Sequence, residues 1–234
     1  MKNEKTFVIS LGGSVIIPKP EEINILFLKK FRKLILKFLK KRCRFIIITG
    51  GGKICRFYQG AAEKIVKVVP EDKDWLGIHC TRLNAHLLRT IFRNESCPVI
   101  MDNPFKKVDK KLLKKPIIIG AGWRPGWSTD YDTVLLAKRF GIKQIINMSN
   151  ISFIYDRDVN RFKNAKKFLK LSWTDYCNLI TKKWTPGLSS PIDPIAAKAA
   201  QKFNIKAFVI KGTDLNNLEN IFEGKKFKGT IVGD

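Results

Sequence analysis

Phe45-Ile46-Ile47-Ile48-Thr49-Gly50-Gly51-Gly52-Lys53 sets an unbroken apolar run directly against three glycines. A run without polar alternation is what a strand buried on both faces requires, and such strands belong to parallel sheets. The same arrangement occurs earlier in the chain, where Phe7-Val8-Ile9-Ser10-Leu11 leads into Gly12-Gly13-Ser14. A helical pattern follows in both places. Glycines at a strand-to-helix junction let the backbone approach an anion closely, with free N–H groups and the helix dipole pointing at it. Two acidic motifs come later, Pro125-Gly126-Trp127-Ser128-Thr129-Asp130 and Pro191-Ile192-Asp193-Pro194. Two anion-binding turns followed by two carboxylates fit two phosphates brought together around a metal, which is a layout for phosphoryl transfer.

Outward from these junctions, strand and helix patterns alternate along the chain. Residues 7–11, 45–48, 98–101, 116–120, 144–148, 207–210 and 230–232 read as strands. Helical spacing covers 23–41, 53–68, 74–92, 129–140, 173–181, 194–203 and 215–223, with an irregular stretch before 173. Glu71, Asp72 and Asp74 stand near the start of the third helix, where negative charge favours the dipole. Such alternation predicts an α/β fold with a mainly parallel sheet covered by helices on both faces. The helix at 23–41 is amphipathic and basic, so it fits a membrane surface as well as a sheet. Its apolar stripe is broader than a surface helix needs, and every helix in this fold must bury one face.

Composition narrows the class. A chain of 234 residues with 44% apolar residues is long enough for one large α/β domain or two small ones. No run approaches the roughly 18 apolar residues of a membrane span. The opening Met1-Lys2-Asn3-Glu4-Lys5 lacks the apolar region of a secretory signal. Five scattered cysteines without a CxxC pair fit reduced thiols in a cytoplasm. A formal charge of +25 invites a nucleic-acid reading, but the excess is mostly Lys spread over the whole chain and no nucleic-acid motif accompanies it. The expectation is a cytoplasmic enzyme with neither a membrane nor a dedicated nucleic-acid partner.

At the level of motifs the chain resembles the amino acid kinase superfamily, and within it most closely the short uridylate (UMP) kinases. The likeness runs from Phe7 to Ile231. It is carried by the turn at Gly12, Gly50-Gly51-Gly52-Lys53 with Arg56, Asp74 with Gly77-Ile78, and Thr81-Arg82-Leu83-Asn84-Ala85. It continues through Gly122, Pro125-Gly126, Ser128-Thr129-Asp130, Asn150, Tyr155, Asp158, Ser189-Ser190-Pro191-Ile192-Asp193-Pro194 and Gly229-Thr230. The resemblance implies a single αβα sandwich over residues 1–234, with an acceptor side in about 1–140 and an ATP side in about 141–234. It implies transfer of the ATP γ-phosphate to UMP in pyrimidine nucleotide synthesis, with Mg²⁺, by a homo-oligomer built from dimers and commonly hexameric.

Residue roles follow from the same resemblance. Gly12, Gly13, Gly50, Gly51 and Gly52, with Lys53, correspond to the loops around the transferring phosphoryl group, and Gly51 also faces the acceptor. Simple turn chemistry is the alternative for these glycines, and the place of both groups at strand ends in an α/β order favours the functional role. Arg56 corresponds to the group gripping the acceptor phosphate, a role suited to a bidentate fork. Asp74 and Gly77 correspond to the acceptor ribose and base turn, and Ser128 and Thr129 to the acceptor's hydroxyl contacts. By the same resemblance, Asp130 and Asp193 correspond to the catalytic carboxylates and to a metal-binding pair, directly or through water. Ser, Thr and Asp at these positions serve equally as helix caps, with Pro194 at a first helical position. Asn150, Tyr155 and Asp158 correspond to the ATP loop.

The chain also departs from the pattern. Ser10 stands where many members have Lys, which leaves Lys53, Lys198 and Lys211 as candidate replacements. Asn150-Ile151-Ser152-Phe153 replaces an Asn-Val-Asp-Gly stretch. Trp123 and Trp127 flank Pro125-Gly126, where they could stack on a pyrimidine or pack against a neighbouring loop or subunit. The alternatives are a kinase for another small acceptor (isopentenyl phosphate, carbamate or an amino acid) and a nucleotide-binding regulator with weak catalysis.

Overall fold

The computed structural model describes residues 5–157, 162, 164–180 and 191–233. The apolar runs become neighbouring parallel strands, β1 (Lys5–Leu11) beside β2 (Cys43–Thr49), with Phe7 opposite Phe45 and Leu11 opposite Thr49. Beyond β2 lies β3 (Ile117–Gly120), and on the other side of β1 lies β4 (Gln144–Ser149). A short β5 (Ile154–Tyr155) and β6 (Lys167–Phe168) form a separate hairpin. With β7 (Lys170–Leu171), β8 (Lys206–Lys211) and β9 (Thr230–Val232), the main sheet has the order β3-β2-β1-β4-β8-β9-β7. It is parallel from β3 to β8, and β9 then runs antiparallel to β8.

Helices cover both faces, and alternation along the strands divides the core in two. Phe7, Ile9, Phe45 and Ile47 point to a face covered by α2 (Ile25–Lys40), α4 (Pro70–Ile91) and α8 (Leu215–Phe222). Val8, Ile46, Ile48 and Ile118 point to the opposite face, under α5 (Thr129–Arg139), α6 (Trp173–Leu179) and α7 (Pro194–Lys202). The chain is therefore a three-layer αβα sandwich. Helix α2 buries Phe27, Phe31, Ile35 and Phe38 against the sheet, which accounts for its wide stripe. The sandwich is completed by α1 (Gly13–Ile16) and α3 (Gly52–Ile65) at the ends of β1 and β2. No described helix is long and apolar enough to cross a membrane.

Three elements differ from the sequence expectation. Residues 98–101 form no strand: the segment touches the β3 edge through isolated bridges at Ser96 and Met101, and between the Cys97 amide on Ile117 O and the Met101 amide on Ile119 O it spends four residues where β3 spends two, which interrupts the ladder. The helix expected from Asp74 begins a turn earlier, at Pro70, whose fixed φ suits a first helical position. Asp74 is thus inside α4 rather than at its start. The irregular stretch before 173 contains β5, β6 and β7, each only two residues long and too short for a periodic signal.

Candidate active site

The glycine turns meet at the carboxyl ends of β1 and β2. A Cβ on Gly13 would fall 2.0 Å from the Gly52 nitrogen and 2.6 Å from the Gly50 carbonyl carbon. Gly52 has φ +77°, and a Cβ there would lie 2.6 Å from the Gly13 oxygen. The two turns interlock backbone to backbone, so side chains are excluded by packing as well as by any anion. Asn84 on α4 fastens the second turn, donating Nδ2 to Gly50 O at 2.8 Å and to Gly51 O at 3.2 Å. These turns floor a cleft of about 790 Å³, a volume typical of small-molecule sites.

One end of the cleft is walled by α3 and α4. Arg56, Asp74 and Gly77 all line it. Gly77 is tight, since a Cβ there would meet the Cys55 sulfur at 3.3 Å. Asp74 accepts a 2.7 Å hydrogen bond from the Gly126 amide, and burial raises its pKa against that bond. Asp74 therefore clamps the 122–128 loop instead of decorating a helix start. The loop is held again where the Gly122 amide donates to Thr81 Oγ1 at 2.9 Å and Arg82 Nη2 donates to Trp123 O at 3.0 Å.

The carboxylates gather at the centre. Ser128 caps α5, accepting from the Tyr131 amide at 3.1 Å, and its hydroxyl donates to Asp193 Oδ2. Asp193 in turn caps α7, its Oδ1 accepting from the Ile195 and Ala196 amides at 2.8 and 3.1 Å. The capping reading is thus correct for these two residues. Asp130 caps nothing. It lies in the first turn of α5, and its Oδ1 accepts from Ser10 Oγ and Asn147 Nδ2, each at 3.0 Å. Although one side of Asp130 opens on the cleft, burial and repulsion from Asp193 push its carboxyl up to about 7, against the hydrogen bonds that favour the charge. Burial raises Asp193 as well. Thr129 lines the same stretch of cleft.

At the far end lie Asn150 and Tyr155, both lining the cleft. Asp158, Ser189 and Ser190 fall outside the described residues. Of the candidate replacement lysines, Lys53 lines the cleft, whereas Lys211 donates its Nζ to the Asn150 carbonyl and, like Lys198, is not among the lining residues.

Three contributors escape the sequence reading. Asn147 holds Asp130 and also donates to Pro191 O at 2.9 Å; a polar residue inside the apolar 145–148 run is the signal for it. Tyr176 is fully buried on α6, its hydroxyl donating to Ile192 O at 2.6 Å and accepting from Ile192 N at 2.9 Å, which fixes the segment entering Asp193. Asp132 is 1% exposed; its Oδ2 accepts from the Trp123 amide at 3.1 Å, and burial lifts its carboxyl to about 8.

Residues 5–211 match the amino acid kinase family. A uridylate kinase from Thermococcus sibiricus is 31% identical over 228 residues, spanning 96% of this chain and 98% of that protein. One from Thermoplasma acidophilum is 32% identical over 233 residues, spanning 98% and 97%. Among solved structures, the uridylate kinase of Archaeoglobus fulgidus superposes with a TM-score of 0.79 at 27% identity, covering 98% of this chain and all of that one.

Proposed function

The chain belongs to the amino acid kinase family, and from that premise we propose that it transfers the γ-phosphate of ATP to UMP, giving UDP and ADP for pyrimidine nucleotide synthesis. The observation that carries the reading is one cleft joining Arg56 and Asp74 at one end, Asp130 and Asp193 in the middle, and Asn150 and Tyr155 at the other. The acceptor half, residues 1–140, would hold UMP, and the half from 141 onward would hold ATP.

In-line transfer between polyanions depends on positioning and charge compensation rather than on a protein nucleophile. Arg56 offers a planar fork to the acceptor phosphate. Amides of the glycine turns, with Lys53 beside them, face the phosphoryl group in transit. A phosphate oxygen of UMP attacks the γ-phosphorus, the bond to the β-γ bridging oxygen breaks, and ADP leaves with that electron pair. Asp130 and Asp193, which both line the cleft, would hold a magnesium ion, Asp193 through water because its oxygens are already engaged by Ser128 and the α7 amides. Such an ion supplies charge compensation for the transferring group.

A homo-oligomer belongs to the same reading. On α3 the apolar Phe57, Tyr58 and Ile65 are 56%, 54% and 81% exposed, and Val66 and Val69 extend the strip. A second copy of the chain would cover it, which size-exclusion chromatography with light scattering tests. The activity is tested by ADP release with Mg·ATP and UMP, CMP, AMP or isopentenyl phosphate as acceptor. Turnover is expected with UMP foremost; UMP turnover at background with folded protein would overturn the assignment.

A further inference from the structure

Trp127 is an aromatic surface the chemistry above leaves unused. It lines the acceptor end of the cleft with Arg56, Asp74, Gly77 and Gly122, whereas Trp123 is not a lining residue and packs on Phe105 at 5.4 Å. The Trp127 ring is fixed from several sides. Trp123 meets it edge-on at 4.7 Å and 89°, Tyr131 meets it at 4.4 Å and 64°, and the Arg124 guanidinium carbon lies 4.4 Å from its centroid.

The backbone carrying the ring is held just as firmly. Thr81 binds the Gly122 amide, Arg82 and Asp132 bind the Trp123 carbonyl and amide, Asp74 binds the Gly126 amide, and Gly126 takes φ +81° immediately before Trp127. Asp132 lies 1% exposed with one oxygen on the Trp123 amide and the other, Oδ1, without a hydrogen-bond partner among the described residues. Burying a carboxyl group for a single amide is costly, so the arrangement makes sense where the loop's position matters.

Resting on the nucleotide-acceptor reading, we propose that Trp127 is the wall on which the acceptor's planar base stacks, and that it selects base-bearing phosphates over phosphates without a ring system. A ring immobilised before binding loses little freedom when a base arrives, and stacking accepts any base because each presents a π-face. Arg56 and Trp127 would then recognise the two ends of one nucleoside monophosphate. A sugar phosphate would engage Arg56 and the ribose contacts but not Trp127.

The test compares wild type, Trp127→Leu and Trp127→Phe, with UMP and with ribose 5-phosphate as acceptors, at saturating Mg·ATP. Trp127→Leu should raise KM for UMP about tenfold or more, a loss in the range of one base–aromatic stack. KM for ATP should stay near wild type, selectivity for UMP over ribose 5-phosphate should shrink, and Trp127→Phe should restore most of the UMP affinity. UMP added without ATP should quench tryptophan fluorescence in wild type and not in Trp127→Phe. Wild-type UMP kinetics in the Leu variant would overturn the inference and leave the reading standing. Should the Leu variant be inactive for lack of folding, an unchanged quench in the Phe variant would overturn it instead. A wild-type preference for ribose 5-phosphate over UMP, CMP and AMP would overturn both.

Discussion

Asp130→Asn separates charge from shape at the centre of the cleft. The amide keeps an oxygen for Ser10 and Asn147, which approach Oδ1 at 3.0 Å each, and no cap is lost because Ser128 caps α5. What disappears is a charge that burial and Asp193 disfavour. The gap between 3.8 and about 7 is worth on the order of 4 kcal/mol at 1.36 kcal/mol per pH unit. Relaxation and water entry reduce that, and half of it, about 2 kcal/mol, corresponds to a Tm gain of about 4–8 °C for a chain of this size. The sign follows from proton binding. Between pH 3.8 and about 7 the folded state holds a proton that the unfolded state has released, so this group's contribution is full below 3.8 and lost as pH rises through about 7. The Asn variant lacks that slope, and its Tm advantage should widen from pH 5 to pH 7 and then level off. Turnover should fall about 10²- to 10³-fold, the loss expected when an electrostatic group leaves a reacting centre. Scanning calorimetry at pH 5, 6, 7 and 8, with initial rates on the same samples, measures both effects. Full activity would refute the catalytic placement, and a lower Tm at pH 8 would refute the electrostatic accounting.

In the wild type, kcat/KM should rise with pH through about 7, because the ionised Asp130 is the competent form; a profile flat from pH 5.5 to 8.5 would argue against it. Asp193→Asn should keep its α7 cap and change Tm by less than about 1 kcal/mol equivalent while turnover drops, since Asn caps about as well as Asp; a large Tm loss with normal turnover would make Asp193 purely structural. Arg56→Lys should raise KM for UMP and leave KM for ATP near wild type, because a point donor replaces a fork; unchanged UMP kinetics would remove Arg56 from the site. Gly13→Ala should destabilise by several kcal/mol, because its Cβ would overlap the Gly52 nitrogen at 2.0 Å, and thermal melts would show it; a Tm within a degree of wild type would mean the two turns can part.

The fold is legible where local pattern and burial agree. The runs ending in Gly12 and Gly50 are apolar on both faces because both faces of β1 and β2 carry a core, and that condition leaves no polar alternation to confuse strand with surface. Residues 98–101 look equally apolar yet form only bridges, since four residues from Cys97 to Met101 oppose two of β3, and a local pattern does not signal that mismatch. The site is legible where a residue type is scarce for its setting. Asp130 and Asp193 stand out beside glycine and proline, and both line the cleft, yet which of them caps a helix and which is held by side chains depends on Ser10, Asn147 and Ser128, contributed by distant parts of the chain. Asp132 looks like an ordinary acidic residue in a first helical turn, and only the approach of the Trp123 amide gives it a role.

Ser10 draws these observations together. A lysine at that position would set an ammonium against Asp130, whereas the serine supplies a hydrogen bond without charge. Asp130 therefore keeps the repulsion from Asp193 that helps to lift it to about 7. Bringing polyanionic substrates into such a cleft calls for positive charge from elsewhere, and in the chain it is offered by Lys53 at the end of the glycine turn and by Arg56 one helical turn along α3. The phosphates themselves would favour the protonated form of Asp130, whereas a magnesium ion entering with ATP would favour the ionised form, and by linkage the ionised form would favour that ion equally. Binding of the ion and ionisation of Asp130 would thus be coupled more tightly than beside a fixed lysine, and Ser10→Lys should weaken that coupling by shifting the pH profile to lower pH.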